Sequence, residues 1–148
     1  MRVELIAFTA RGNALAERLA AELTGAGCPA ACTREGLRVE EWAARAFGRS
    51  EALVFVGAAG IAVRAIAPCL RHKSTDPAVV VVDEAGRYAV PILSGHLGGA
   101  NDLARRIAAL TGAEAVLTTA TDVNGVFAAD QWARRQGLLV PWPERILG

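Results

Sequence analysis

Short, nearly continuous apolar runs at Val3 to Phe8 and Ala52 to Val56 predict strands covered on both faces. Between them Leu15, Leu19 and Leu23 recur at helical spacing, and Gly25 and Gly27 close that helix. Ala30 to Thr33 is predicted as a second, edge strand, followed by a helix that carries Trp42, Ala46 and Phe47. Gly57-Ala-Ala-Gly60 leads into a further helix with Ile61, Ala65, Ile66 and Cys69 on one side, closed at or just after Pro68. Ala78 to Val82, the turn Asp83-Glu-Ala-Gly86 and Tyr88 to Leu93 predict a β-hairpin. A helix from Gly99 to Leu110, burying Leu103, Ile107 and Leu110, then precedes a strand at Ala115 to Thr118. Alternating β and α units with one hairpin predict an α/β fold, a three-layer α/β/α sandwich around a mostly parallel sheet. The pattern weakens to a short helix from Gln131. The expected organisation is therefore an α/β domain over 1–137 and, over 138–148, the start of a linker toward a further C-terminal domain.

Composition agrees and narrows the function. A chain of 148 residues, 53% hydrophobic and 21% charged, can bury a core without disulfides. Sixteen basic against fifteen acidic residues give a formal charge of +1, so the basic footprint of a nucleic-acid binder is missing. Lys73 is the one lysine; the other basic residues are arginines, whose planar fork donates two hydrogen bonds at once to a carboxylate. Cys28, Cys32 and Cys69 are odd in number and hold no CxxC pair, so neither a disulfide framework nor a zinc site is expected. Cys28 and Cys32 read as small hydrophobes on one face of the edge strand. No apolar run reaches the roughly 18 residues of a membrane span, and with a first strand predicted from Arg2 no signal peptide is expected. A cytoplasmic protein with no membrane partner is expected.

Ser94-Gly-His-Leu-Gly-Gly-Ala-Asn101 is the stretch richest in chemistry, placing one of two histidines between a hydroxyl and the glycine pair that opens a helix. Glycines at that position leave the first helical N–H groups uncovered, and these can hold a carboxylate, phosphate or oxyanion. A tight strand-to-helix turn whose histidine only caps or packs would look the same. Thr118-Thr-Ala-Thr-Asp-Val-Asn-Gly125 is a second polar run, equally compatible with an Asx-type turn. In open α/β sheets ligands bind beyond the carboxyl ends of strands, and Thr9, Gly57 to Gly60, the His96 turn and the threonine run all follow predicted strands. One cleft is expected to gather them. For that to hold, Arg71-His-Lys-Ser-Thr-Asp-Pro77 must carry the chain back along the sheet before the hairpin, which its reach of about 3.3 Å per residue permits. Arg64, Lys73 and Arg71 would then stand near the cleft as cations.

Three stretches carry a resemblance: Gly57-Ala-Ala-Gly-Ile-Ala-Val-Arg-Ala-Ile-Ala-Pro68; Asp76-Pro-Ala-Val-Val-Val-Val-Asp83 running on to Leu93-Ser-Gly-His-Leu-Gly-Gly-Ala-Asn101; and Thr118 to Gly125. In order and spacing they resemble the N-terminal region of the cobalamin-biosynthesis hydrolase family that opens the lactone of cobalt-precorrin-5A. The resemblance spans most of residues 52–130; the first fifty residues match in layout more than in motif. Family members continue into a linker and a C-terminal α/β domain, so a partner domain or split-gene subunit is expected here.

The resemblance implies hydrolysis of a δ-lactone on a polycarboxylate, cobalt-bearing macrocycle with release of acetaldehyde, giving cobalt-precorrin-5B. Lactone opening needs a positioned water, a base and donors aimed at the developing oxyanion. On this reading His96 activates water, the N–H groups around Gly98 and Gly99 form the oxyanion site, Asp122 or Asn124 is the orienting partner, and Ser94 is a weaker candidate as nucleophile or hydrogen-bonding group. The substrate would be bound by Gly57, Gly60, Arg64, Lys73, Gly98, Gly99, Asn101, Thr119 and Asn124. The cobalt arrives with the substrate, so no cofactor and no protein metal site are expected. The alternative is a non-catalytic module that holds the corrinoid intermediate for a separate C-terminal domain. A nucleotide or flavin domain has less support, since no GxGxxG follows the first strand and no GxxxxGK[ST] occurs.

Overall fold

The computed structural model describes residues 1–33, 36–95 and 99–119. In chain order the elements are β1 (Val3–Ala7), α1 (Ala10–Gly25), β2 (Ala30–Cys32), α2 (Val39–Arg49), β3 (Ala52–Val56), α3 (Ala59–Ile66), a 3-10 turn (Ala67–Cys69), β4 (Ala78–Val82), β5 (Tyr88–Leu93), α4 (Ala100–Thr111) and β6 (Glu114–Ala115). They lie in one unit, Met1–Val116; residues 117–119 belong to a second unit that begins at Leu117. The expected boundary between 137 and 138 falls outside the described residues.

The strands form one sheet in the order β2-β1-β3-β4-β5-β6. β2, β1, β3 and β4 are parallel, β5 returns antiparallel to β4 as the predicted hairpin, and β6 runs with β5. Helices α2 and α3 touch each other, as do α1 and α4. Right-handed crossovers place the two pairs on opposite faces, which gives the three layers expected from the sequence.

Alternation along the strands sorts the core. Ile6, Leu53, Phe55, Val79 and Val81 point toward α2 and α3, where they pack with Trp42, Ala43, Ala46, Ala62, Ala65 and Ile66. Trp42 meets Phe55 edge to face at 5.2 Å between ring centroids and donates its indole N–H to Thr33 Oγ1 at 2.8 Å. Leu15, Leu19 and Leu23 of α1 and Leu103 and Ile107 of α4 are buried, as their spacing predicts.

Two local expectations change. Cys28 lies outside β2, in the turn that ends α1: its N–H donates to Leu23 O at 2.8 Å and its thiol to Met1 O at 3.3 Å. The last strand is two residues long and pairs only with Tyr88 and Ala89, because a cross-strand ladder, not apolar character, defines a strand.

The parallel register of Ala52 with Ala78 decides where the loops emerge. α3 rises about 1.5 Å per residue and the 3-10 turn about 2 Å. Together they descend the length of a five-residue strand, so the chain is already at the amino edge of the sheet by Cys69. Residues 71–77 have no strand to retrace and fold as a compact turn there, with Thr75 and Asp76 N–H groups donating to His72 O at 3.0 and 2.8 Å. β4 then runs to the carboxyl edge, and β5 brings Ser94 back to the amino edge. The single cleft expected from the sequence does not form: the Gly57 bend and the turn after β5 sit at opposite edges.

Candidate functional site

β5 reaches the amino edge through an irregularity. Val79 faces Leu93 and Val80 faces Pro91, so Ile92 is an extra residue on β5. Proline has no N–H to give to the ladder, and a bulge beside it bends the strand and re-aims the residues after it. Ser94 comes next, in a left-handed backbone conformation (φ 58°) that non-glycine residues adopt only where their surroundings hold them. Its hydroxyl donates to the carbonyl of Asp76 at 3.0 Å. Ala100 N–H donates back to Ser94 O at 3.1 Å and Asn101 N–H to Gly95 O at 3.0 Å, so the two described ends of this segment are joined through their backbones. His96, Leu97 and Gly98, within that segment, lie outside the described residues. Gly99 ends it at φ 83°, where an added Cβ would sit 2.9 Å from the Met1 methyl. Asn101, on the first turn of α4, is buried.

This closure corrects one expectation. The first helical N–H groups are not all open: those of Ala100 and Asn101 satisfy the carbonyls of Ser94 and Gly95. An oxyanion site would rest on the N–H groups of Gly98 and Gly99. Among the described residues the Ser94 hydroxyl gives its proton to a backbone carbonyl, as a structural donor does.

Asp76 joins this turn to the loop before β4. Its buried carboxylate accepts the N–H of Arg71 at 3.1 Å to each oxygen and that of His72 at 3.3 Å, while its carbonyl takes the Ser94 hydroxyl. The loop therefore presents Arg71, His72 and Lys73 as exposed side chains at the same edge as the Ser94 turn. His72 Nδ1 lies 2.6 Å from the Ser74 hydroxyl oxygen and 3.1 Å from the Ser74 nitrogen, which ties the ring to its own loop.

Among the described residues two cavities open at this edge. One, of about 330 Å³, lies between α2 and the 71–77 loop and is bordered by Phe47, Pro68, Cys69, Arg71, Thr75 and Asp76. The other, of about 300 Å³, is bordered by Met1, Cys28, Gly99, Asp102, Leu103 and Arg106. Burial pushes the Cys69 thiol above its ordinary pKa, Arg71 pulls it down and Asp76 pushes it up, so the net result is a protonated, weakly nucleophilic sulfur.

The carboxyl edge is built differently. Thr9 caps α1 by accepting Gly12 N–H at 3.0 Å and donates its proton to Glu84 at 2.6 Å. Asp83 accepts the N–H groups of Ala85, Arg87 and Tyr88 and so closes the hairpin turn. Gly57 donates to Val82 O at 2.9 Å, and a Cβ there would meet the Phe8 ring at 3.0 Å. Arg64 folds back along α3 until its guanidinium lies 3.6 Å from where a Gly60 Cβ would be. Gly57, Gly60 and Arg64 are thus separated by the height of the sheet from Lys73, Ser94, Gly99 and Asn101, against the sequence expectation that all seven share a cleft. Asp122 and Asn124 lie outside the described residues, and Thr119 belongs to the second unit. Asp76 is the residue that sequence reasoning missed; its signal was an acidic side chain directly before a proline and a strand.

Among the described residues no three His, Cys, Asp or Glu side chains converge as metal ligands, and no helix is long and apolar enough to cross a membrane.

Residues 41–122 match the family model described as "Cobalamin synthesis G N-terminal". The chain is similar to the cobalt-precorrin-5A hydrolase of Salmonella typhimurium, 47% identical over 142 residues that cover 88% of this chain and 39% of that protein. It is 45% identical over 91 residues to the enzyme of the same name from Priestia megaterium, covering 62% of this chain and 24% of the relative. Its fold superposes with a TM-score of 0.68 and 26% identity on a crystal structure from Sulfolobus solfataricus, solved as that of a candidate cobalamin biosynthesis protein G homologue; 78% of this chain and 36% of that one are covered. The chain therefore spans well under half the length of the relatives it matches.

Proposed function

The chain belongs to the cobalamin synthesis G N-terminal family, and from that premise we propose that it acts in cobalamin biosynthesis as the N-terminal part of a cobalt-precorrin-5A hydrolase. The reaction is opening of the δ-lactone of a polycarboxylate macrocycle with release of acetaldehyde, giving cobalt-precorrin-5B. The metal travels with the substrate and is not held by the protein, and the reaction takes place in the cytoplasm. A C-terminal domain, on the same chain or as a separate subunit, completes the enzyme. That the similar proteins from Salmonella and Priestia are named as hydrolases favours this over a non-catalytic corrinoid-holding module.

The observation that carries the site is the Ser94 to Asp76 hydrogen bond. It fastens Ser94, two residues before His96 in the chain, to the loop of Arg71, His72 and Lys73, which supports a reading in which a base and cations for an acidic substrate share one edge. In this scheme His96 activates water, Gly98 and Gly99 supply N–H donors to the oxyanion, and Asp122 or Asn124 orients the base. Asn101 supports the turn, and Lys73 meets a peripheral carboxylate. Gly57, Gly60 and Arg64 have no part in it.

The test is incubation of the purified chain with the lactone intermediate, alone and with the C-terminal part of a full-length relative, scored by acetaldehyde. Release in either arm is expected. Its absence from both, with the full-length relative active in parallel, would overturn the assignment.

A further inference from the structure

The cavity between α2 and the 71–77 loop has the features of a binding site that the reaction scheme does not use. Phe47, Pro68 and the Ala44 to Gly48 side of α2 make an apolar wall. Arg71 stands at its border as an exposed cation whose guanidinium has no hydrogen bond or ion pair among the described residues. That charge bears on the cavity, because it is felt at the Cys69 thiol, which also lines it. The other charge in the lining, Asp76, is committed: both its oxygens accept the Arg71 N–H and one also the His72 N–H, so it fixes the backbone of Arg71. At about 330 Å³ the space lies at the small end of the roughly 300–1,000 Å³ typical of small-molecule sites. It has room for one arm of a large ligand. An apolar wall with a single open guanidinium at its mouth fits a short aliphatic chain ending in a carboxylate.

We propose that this cavity receives a carboxylate-tipped aliphatic arm of the macrocycle, held by Arg71. The assignment rests on the proposed function for the identity of the ligand. The cavity and its open guanidinium are independent of it. Arg71 is a specificity-determining residue: it anchors an arm remote from the lactone and leaves the bond-breaking step to the turn.

Cys69 provides a readout that does not depend on turnover. Peptide-resolved alkylation by iodoacetamide at alkaline pH reports whether the cavity is filled. The probes are the lactone intermediate, uroporphyrin as a lactone-free octacarboxylate macrocycle, its octamethyl ester, and inorganic phosphate. Both carboxylate macrocycles should slow Cys69 alkylation at least about fivefold, and the ester and phosphate should not. Arg71→Ala and Arg71→Glu should abolish the protection, and Arg71→Lys should keep part of it; the substituted side chain is exposed, so the fold is not at stake. In steady state Arg71→Ala should raise KM roughly tenfold with kcat nearly unchanged. Protection by phosphate or the ester, or protection that survives Arg71→Glu, overturns the site whether or not acetaldehyde is made. Arg71-dependent protection without acetaldehyde release would leave the site standing and remove the reaction.

Discussion

The two edges of the sheet use the same residue types for opposite ends. At the carboxyl edge, where open α/β sheets ordinarily bind their ligands, the polar groups are taken up by one another and by the backbone: Thr9 bonds Glu84, Asp83 closes the hairpin, and Gly57 lets Phe8 pack against the β3 bend. At the amino edge the antiparallel return of β5 delivers a strand end, so that edge gains a carboxyl-end loop of its own beside the 71–77 loop. The binding rule tracks the ends of strands, and reversing one strand transfers a site to the other rim. A glycine-rich bend after a parallel strand is therefore not evidence of a ligand until the direction of its neighbours is known.

The largest effect that can break this contrast is on turnover. His96→Ala should lower acetaldehyde release by roughly 10²-fold, the scale of a lost general base. Arg64→Ala, on the far rim, should change kcat/KM by less than about twofold. A comparable loss in both variants would put the two rims back into one site. Asp76→Ala comes next. It removes the acceptor of the Arg71 and His72 N–H groups from a buried position, and should cost about 1–3 kcal/mol in urea unfolding. Its KM should rise as the cation loop comes loose from the turn. Unchanged stability would show that the loop does not depend on the carboxylate.

The glycines sharpen the comparison at a smaller scale. Gly99→Ala places a side chain at φ 83° and Gly57→Ala places one against the Phe8 ring, and each should lose about 1–2 kcal/mol of stability. Only Gly99→Ala should also reduce turnover per folded molecule. Equal turnover in the two variants would separate the Ser94–Asn101 turn from the chemistry.

What the sequence made legible divides along the same line. Strands and helices were readable because their patterns are local: Leu15, Leu19 and Leu23 share a face in any helix, and Ala52 to Val56 is buried in any central strand. The hairpin was readable because Asp83 to Gly86 carries its own turn chemistry. The Ser94–Asn101 segment could be marked as a turn joining strand and helix. Its rim could not be assigned, because that depends on the Ala52 with Ala78 register, a fact about two distant strands. Asp76 escaped notice because its partners are backbone groups four and five residues earlier, in a loop with no period. Glu4 was hidden by its own strand, inside a run that otherwise reads as wholly apolar.

That glutamate supplies the smallest prediction. Glu4 points from β1 toward the end of α2, where it is buried and accepts two hydrogen bonds from Arg49, at 2.9 and 2.7 Å, and one from the Ser50 hydroxyl. Its partner stands 45 residues away, and both meet at the amino edge beneath the loops already described. The Arg49 hydrogen bonds hold the Glu4 carboxyl below its ordinary value of 4.5, against burial, which would raise it; the guanidinium is pushed further up and stays charged throughout. A carboxyl with a lower pKa in the folded chain than in the unfolded one stabilises the fold fully above the unfolded value. The stabilisation fades as the pH falls from about 4.5 through the folded value. Because Arg49 is half exposed, solvent screens the pair, and Glu4→Gln should cost about 1 kcal/mol or less at neutral pH. Urea unfolding of the wild type and of Glu4→Gln across the acid range should show the two stabilities converging as the pH drops. A constant gap between them would mean that Glu4 contributes by shape and neutral hydrogen bonding, and that the amino edge owes nothing to its charge.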